Sequence, residues 1–81
     1  PSPRPLEIIE ENAVKLLLDA GYTVIAAGGG GLPVSKKSDG ILRGEAAVID
    51  KDLASSLLAQ RTGADILLIS TAVPCVYLNF A

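Results

Sequence analysis

Four consecutive glycines, Gly28, Gly29, Gly30 and Gly31, follow directly on the apolar run Tyr22-Thr-Val-Ile-Ala-Ala27 and are closed by Leu32-Pro33. Residues without Cβ atoms let the backbone take positive φ and approach a ligand closely, presenting amide N–H groups to an anion. Such a run reads either as a tight turn or flexible link, or as a loop for a phosphate or carboxylate. Its place at the end of a strand-like segment favours the ligand loop, because α/β folds bind ligands at strand ends. The common nucleotide motifs do not fit it. A P-loop needs a Gly-Lys-Ser/Thr ending where this chain continues Leu32-Pro33-Val34, and a dinucleotide fingerprint needs Gly or Ala where Pro33 stands.

Eighty-one residues make at most one small domain, yet 49% of them are hydrophobic. That share leaves too few polar residues to cover an isolated core, so the chain reads as part of something larger. Both ends fit an interior cut: Pro1-Ser-Pro-Arg-Pro5 opens without an initiator Met, and Val76-Tyr-Leu-Asn-Phe-Ala81 stops on a strand-like run. A formal charge of −2 with no His provides no basic face for sequence-independent nucleic-acid binding. The single Cys75 excludes an internal disulfide framework, and the lack of His and of paired Cys removes the usual zinc spacings, so no residue is assigned to a metal. No apolar run approaches a membrane span of roughly 18 residues. A reducing, cytoplasmic setting is the simplest reading of the cysteine usage.

Along the chain, Pro5 suits the first turn of a helix. Leu6, Ile9, Ala13, Leu16, Leu17 and Ala20 then recur at helical spacing, with Glu7, Glu10, Glu11, Lys15 and Asp19 on the other face. Glu11 stands four before Lys15, and Gly21 supplies the stop. Residues 22–27 read as a strand covered on both faces, as in a parallel sheet. Ser35-Lys-Lys-Ser-Asp39-Gly40 carries a hairpin turn signal, with Lys36 and Lys37 as its solvated tip or as contacts to phosphate. A second helix starts at Asp50-Lys51-Asp52 and runs on Leu53, Ala54, Leu57 and Leu58 to Gly63. Here two readings stand level. Asp50 or Asp52 caps the helix; or Lys51, misplaced as a cation at the positive end of a helix dipole, is held between two carboxylates to neutralise a moving phosphoryl group. Residues 65–70 read as a second buried strand, with Ser70, Thr71, Ala72 and Val73 at or beyond its carboxyl end, where they would share a crevice with the glycine loop. Tyr77 and Phe80 read as core or adenine-pocket wall. Cys75 has no cationic neighbour in sequence to activate it.

Four strings, Pro1-Ser-Pro-Arg-Pro5, Ala26-Ala-Gly-Gly-Gly-Gly-Leu-Pro-Val34, Ala47-Val-Ile-Asp-Lys-Asp-Leu-Ala-Ser55 and Thr71-Ala-Val-Pro-Cys-Val-Tyr-Leu-Asn-Phe80, resemble the carbamate kinases in identity, order and spacing. These are a branch of the amino-acid kinase family, and the likeness covers essentially the whole chain as a partial domain, residues 1–81. The resemblance implies an α/β fold: a fragment of a three-layer αβα architecture with a mainly parallel sheet and a small hairpin, in a cytoplasmic homodimer. It also implies magnesium-dependent phosphoryl transfer between ATP and carbamate, giving ADP and carbamoyl phosphate, in arginine or related nitrogen catabolism. By the same resemblance Lys51 is a catalytic lysine near the phosphates and Asp52 the aspartate that holds the catalytic lysines. Gly28, Gly29, Gly30 and Gly31 line the transferred phosphoryl or carbamate, and Ser70, Thr71, Ala72, Val73, Val76 and Tyr77 the nucleotide. Pro74-Cys75 departs from the polar pair usual in the family, and the family's N-terminal glycine loop and later lysines have no counterpart here. The 81 residues are therefore not expected to catalyse alone. Another amino-acid kinase, or a non-catalytic paralogue that binds nucleotide, are the alternatives.

Overall fold

In order along the chain stand α1 (Glu11–Asp19), the antiparallel hairpin β1 (Val34–Lys36) and β2 (Leu42–Gly44), and α2 (Lys51–Thr62), in a computed structural model that describes residues 2–75. Both helices end as the glycines require. Gly63 is left-handed at φ 71, and the Gly63 and Ala64 amides donate back to Gln60 and Ala59, the paired bonds of a Schellman stop. Gly21 and Tyr22 donate in the same pattern to Leu18 and Leu17.

The start of α1 differs from expectation. The periodicity places it at Pro5–Leu6, whereas the helix begins at Glu11 after a turn in which the Glu11 amide bonds the Ile8 carbonyl at 3.2 Å. Adjacent β-branched Ile8 and Ile9 are weak helix formers. Arg4 and Pro5 instead border a recess with Leu53, Ser56, Leu57 and Gln60 of α2. The expected Glu11–Lys15 pair is present at 3.0 Å, and the other Glu11 oxygen lies 3.9 Å from Arg61 Nε, linking the two helices.

The hairpin follows its turn signal. Gly40, at φ 80, closes the turn by donating to Lys37, and Lys37 donates to Ile41 across the strand ends. Asp39 accepts from the Ile41 amide and from Arg43, each at 2.9 Å. Register pairs Val34 with Gly44, Ser35 with Arg43 and Lys36 with Leu42. Ser35 and Lys37 both reach Glu45, just beyond β2.

Residues 22–27 and 65–70, expected as buried strands, make no ladder with another segment among the described residues. Strands of the parallel type are satisfied only by neighbours in the sheet and by layers on its faces. Here Ile25 is 98% exposed, and Ile66 and Leu68 are 81% and 87% exposed. Among the described residues the buried hydrophobic side chains are Val14 of α1 and Ala54 of α2, one from each of two helices that pack together. A radius of gyration of 14.7 Å exceeds the roughly 12 Å of a compact domain this long. The chain is an open array whose apolar surface faces outward, in keeping with a composition too apolar for an isolated domain.

Candidate functional site

The site is built where the glycine loop meets the start of α2. The Ala27 carbonyl accepts from the Gly30 amide at 2.8 Å, folding the loop into a turn. Ala27 itself has φ 70, a conformation that costs an L-residue about 1 kcal/mol or more. Strain of this kind persists only where surrounding structure enforces it, and it collects at ligand sites. At Gly30, φ is +134, and a Cβ there would fall on the Ile49 carbonyl oxygen and lie 3.4 Å from the Lys51 backbone nitrogen. The loop thus rests on the residue pair that enters α2, which brings two of the sequence-derived candidates together.

At the helix start the capping reading of the acidic triplet falls to Asp50. Asp50, extended at φ −66 and ψ 126, is the cap: its carboxylate accepts from the Asp52 amide at 2.7 Å. Lys51 Nζ donates to Asp52 Oδ1 at 3.1 Å. The expectation of a lysine held between two carboxylates is corrected here, because Asp50 is turned to the backbone and Asp52 alone holds the ammonium. The pair is open to solvent, at 65% and 49% side-chain exposure, so it contributes no more than about 1 kcal/mol to folding. A cation at the positive end of a helix is itself mildly unfavourable. Stability therefore gives little reason for Lys51 to stand there. Glycine-loop backbone and the N-terminus of a helix, which lie against each other here, are both of the kind that bind anions.

Ser70, Thr71, Ala72 and Val73 lie on an exposed stretch, where Thr71 Oγ1 accepts from the Val73 amide at 3.2 Å. No hydrogen bond joins this stretch to the glycine loop among the described residues. Val76 and Tyr77 lie outside the described residues. Ile49 was not marked by the sequence, since its part is played by a backbone carbonyl that any residue carries. Cys75 is exposed, and no helix of the described residues is long and apolar enough to cross a membrane.

Comparison with known proteins bears on the same elements. The profile of the Amino acid kinase family matches residues 1–80. The chain belongs to the amino-acid kinase family. Within it, the chain is 52% identical over 80 residues to the carbamate kinase of Lentilactobacillus hilgardii, covering 99% of this chain and 25% of that protein. It is 54% identical over 79 residues to the carbamate kinase-like protein YqeA of Escherichia coli, covering 98% of this chain and 25% of that one. A solved carbamate kinase from Giardia lamblia superposes with a TM-score of 0.77 at 49% identity, over 80% of this chain and 21% of the other. The chain thus spans about a quarter of the length of these amino-acid kinase relatives. What is in hand is a fragment of the amino-acid kinase fold, seen as two helices and a small antiparallel hairpin.

Proposed function

We propose that the protein carrying this chain is a carbamate kinase, which moves a phosphoryl group reversibly between ATP and carbamate. In one direction the terminal phosphoryl of ATP passes to a carbamate oxygen, leaving ADP and carbamoyl phosphate; in the other, ADP takes it back and carbamate is released. The observation that carries the reading is the seating of the glycine loop against the start of α2, beside the Lys51–Asp52 pair. Phosphoryl transfer asks mainly for positioning and charge neutralisation. Gly28, Gly29, Gly30 and Gly31 line the phosphoryl or carbamate; the amides of Gly28, Gly29 and Gly31 hold its oxygens, while that of Gly30 is bonded to the Ala27 carbonyl. Lys51 offsets the charge on the moving group, and Asp52 keeps that ammonium aimed. Ser70, Thr71, Ala72 and Val73, with Val76 and Tyr77, border the nucleotide, which arrives with Mg2+ as the magnesium nucleotide substrate.

In this reading residues 1–81 are one part of an αβα domain whose remaining elements complete the fold. Residues 22–27 and 65–70 join a mainly parallel sheet there, which accounts for their exposed apolar side chains. The enzyme is a cytoplasmic homodimer. The test is a coupled assay of ATP formed from ADP and carbamoyl phosphate by the full-length protein, alongside the isolated 81 residues. Turnover by the former and none by the latter is the expected result, and an inactive full-length protein of intact fold overturns the reading.

A second reading is a non-catalytic paralogue that binds nucleotide. It is favoured by the Pro74-Cys75 step, and by a relative called carbamate kinase-like at 54% identity. Nucleotide binding by calorimetry without turnover on carbamoyl phosphate or other acyl phosphates would select it; turnover on another acyl phosphate would indicate a different amino-acid kinase.

A further inference from the structure

We propose that Gly30 is a positioning residue of the phosphoryl-transfer site, acting through the Ile49 carbonyl to set the spacing between the glycine loop and the Lys51–Asp52 pair. The inference rests on the reading of the loop and the pair as parts of one site. Of the four loop glycines, Gly28, Gly29 and Gly31 have open space where a Cβ would stand, whereas a Cβ on Gly30 meets the Ile49 carbonyl carbon at 2.9 Å and also falls on its oxygen. Both atoms are backbone, and neither can swing aside as a side-chain tip would. Gly30 is held from the other direction as well, since its amide is bound to the Ala27 carbonyl.

The chain after Ile49 leaves little slack. Asp50 is fixed by its bond to the Asp52 amide, and Lys51 opens the helix. A push on the Ile49 carbonyl is therefore passed either to the cap and the first turn of α2 or back into the loop. In either case the loop amides and the Lys51 ammonium move relative to each other. Groups that act together on one phosphoryl group tolerate such movement poorly, and a displacement of 1 Å can cost on the order of 100-fold in rate.

The experiment compares Gly30→Ala with Gly31→Ala and Gly44→Ala in the full-length protein. Gly31, at φ +88, shares the backbone penalty but meets nothing, and Gly44 in β2 has neither feature and lies outside the site. Steady-state kinetics are measured for carbamoyl phosphate and ADP separately, on protein shown to be folded by its thermal transition. Gly30→Ala is expected to lose about 30- to 100-fold in kcat/KM for carbamoyl phosphate, with the KM for ADP changed less than twofold. Gly31→Ala loses several-fold less, and Gly44→Ala keeps wild-type kinetics. Equal losses in Gly30→Ala and Gly31→Ala would show that backbone strain alone is at work and would overturn the proposal. So would a folded Gly30→Ala enzyme with wild-type kinetics, or one whose loss is only a smaller active fraction with every KM unchanged. If Gly30→Ala does not fold, Ile49→Pro and Ile49→Ala extend the test: restricting the entry to α2 must reproduce the carbamoyl phosphate defect while trimming the side chain must not, and any other pattern overturns the proposal. A wild-type protein without turnover overturns the proposed function itself, a result distinct from these.

Discussion

Replacing Lys51 with Met in the full-length protein should lower kcat for ATP formation from ADP and carbamoyl phosphate by about 100- to 1,000-fold, the usual effect of removing one preorganised charge-stabilising donor. The structural side of the substitution is mild. Lys51 is mostly in solvent and its ion pair with Asp52 is exposed, so the folded state should change by no more than about 0.5 kcal/mol. Removing a cation from the positive end of α2 even relieves a small dipole penalty. The expected signature is thus a large kinetic loss with an unshifted or slightly raised thermal midpoint. Lys51→Arg should recover only part of the rate, since a planar guanidinium cannot place one point charge where the ammonium stood. A Lys51→Met enzyme within threefold of wild type would remove Lys51 from the chemistry and return the pair to surface electrostatics.

Asp50→Ala is the structural counterpart at the same helix start. It deletes the carboxylate that accepts from the Asp52 amide and should cost about 1 kcal/mol in denaturant unfolding, the ordinary value of a lost cap. A loss under about 0.3 kcal/mol would mean that another group or water caps α2 in solution.

How legible this was in the sequence depends on how local each interaction is. The hairpin was readable because Asp39 and Gly40 define the turn by their own chemistry, and the structure uses both. The helix stops at Gly21 and Gly63 were readable for the same reason. The start of α1 was not, because Pro5 and the apolar spacing from Leu6 are compatible with a helix. Arg4 and Pro5 instead share the border of a recess with residues of α2 some fifty positions away, which no local pattern announces. The two strand-like runs have strand composition, but a strand needs partners, and none pairs with them among the described residues. At the site, the residue types at positions 50–52 fixed the range of roles without assigning them. Only the rotation of the helix start turns Asp50 to the backbone and Asp52 to Lys51. That Gly30, among four like glycines, is the one against α2 has no local signal at all, because the atom it meets belongs to the backbone of Ile49.

Asp52→Asn decides whether the Lys51–Asp52 contact works as a unit. Asn keeps the size of the side chain and an oxygen for the ammonium but discards the charge that holds Lys51 at 3.1 Å. Since the pair is exposed, Lys51 then samples other rotamers at little cost, and kcat should fall by about 10- to 100-fold, less than for loss of the lysine itself. Stability should drop by about 0.3–1 kcal/mol, the value of a carboxylate in the first turn of a helix. The informative measurement is the double variant with Lys51→Met. If Asp52 acts by aiming Lys51, nothing remains for it to aim once the lysine is gone, and the double variant should be about as slow as Lys51→Met alone. If the two residues act independently, for example with Asp52 contacting a ligand directly, the losses multiply. Multiplying losses would keep both residues in the site yet give Asp52 a different part. The contact in the structure favours the first outcome, because the Asp52 oxygen bonded to the ammonium is already engaged before any substrate arrives.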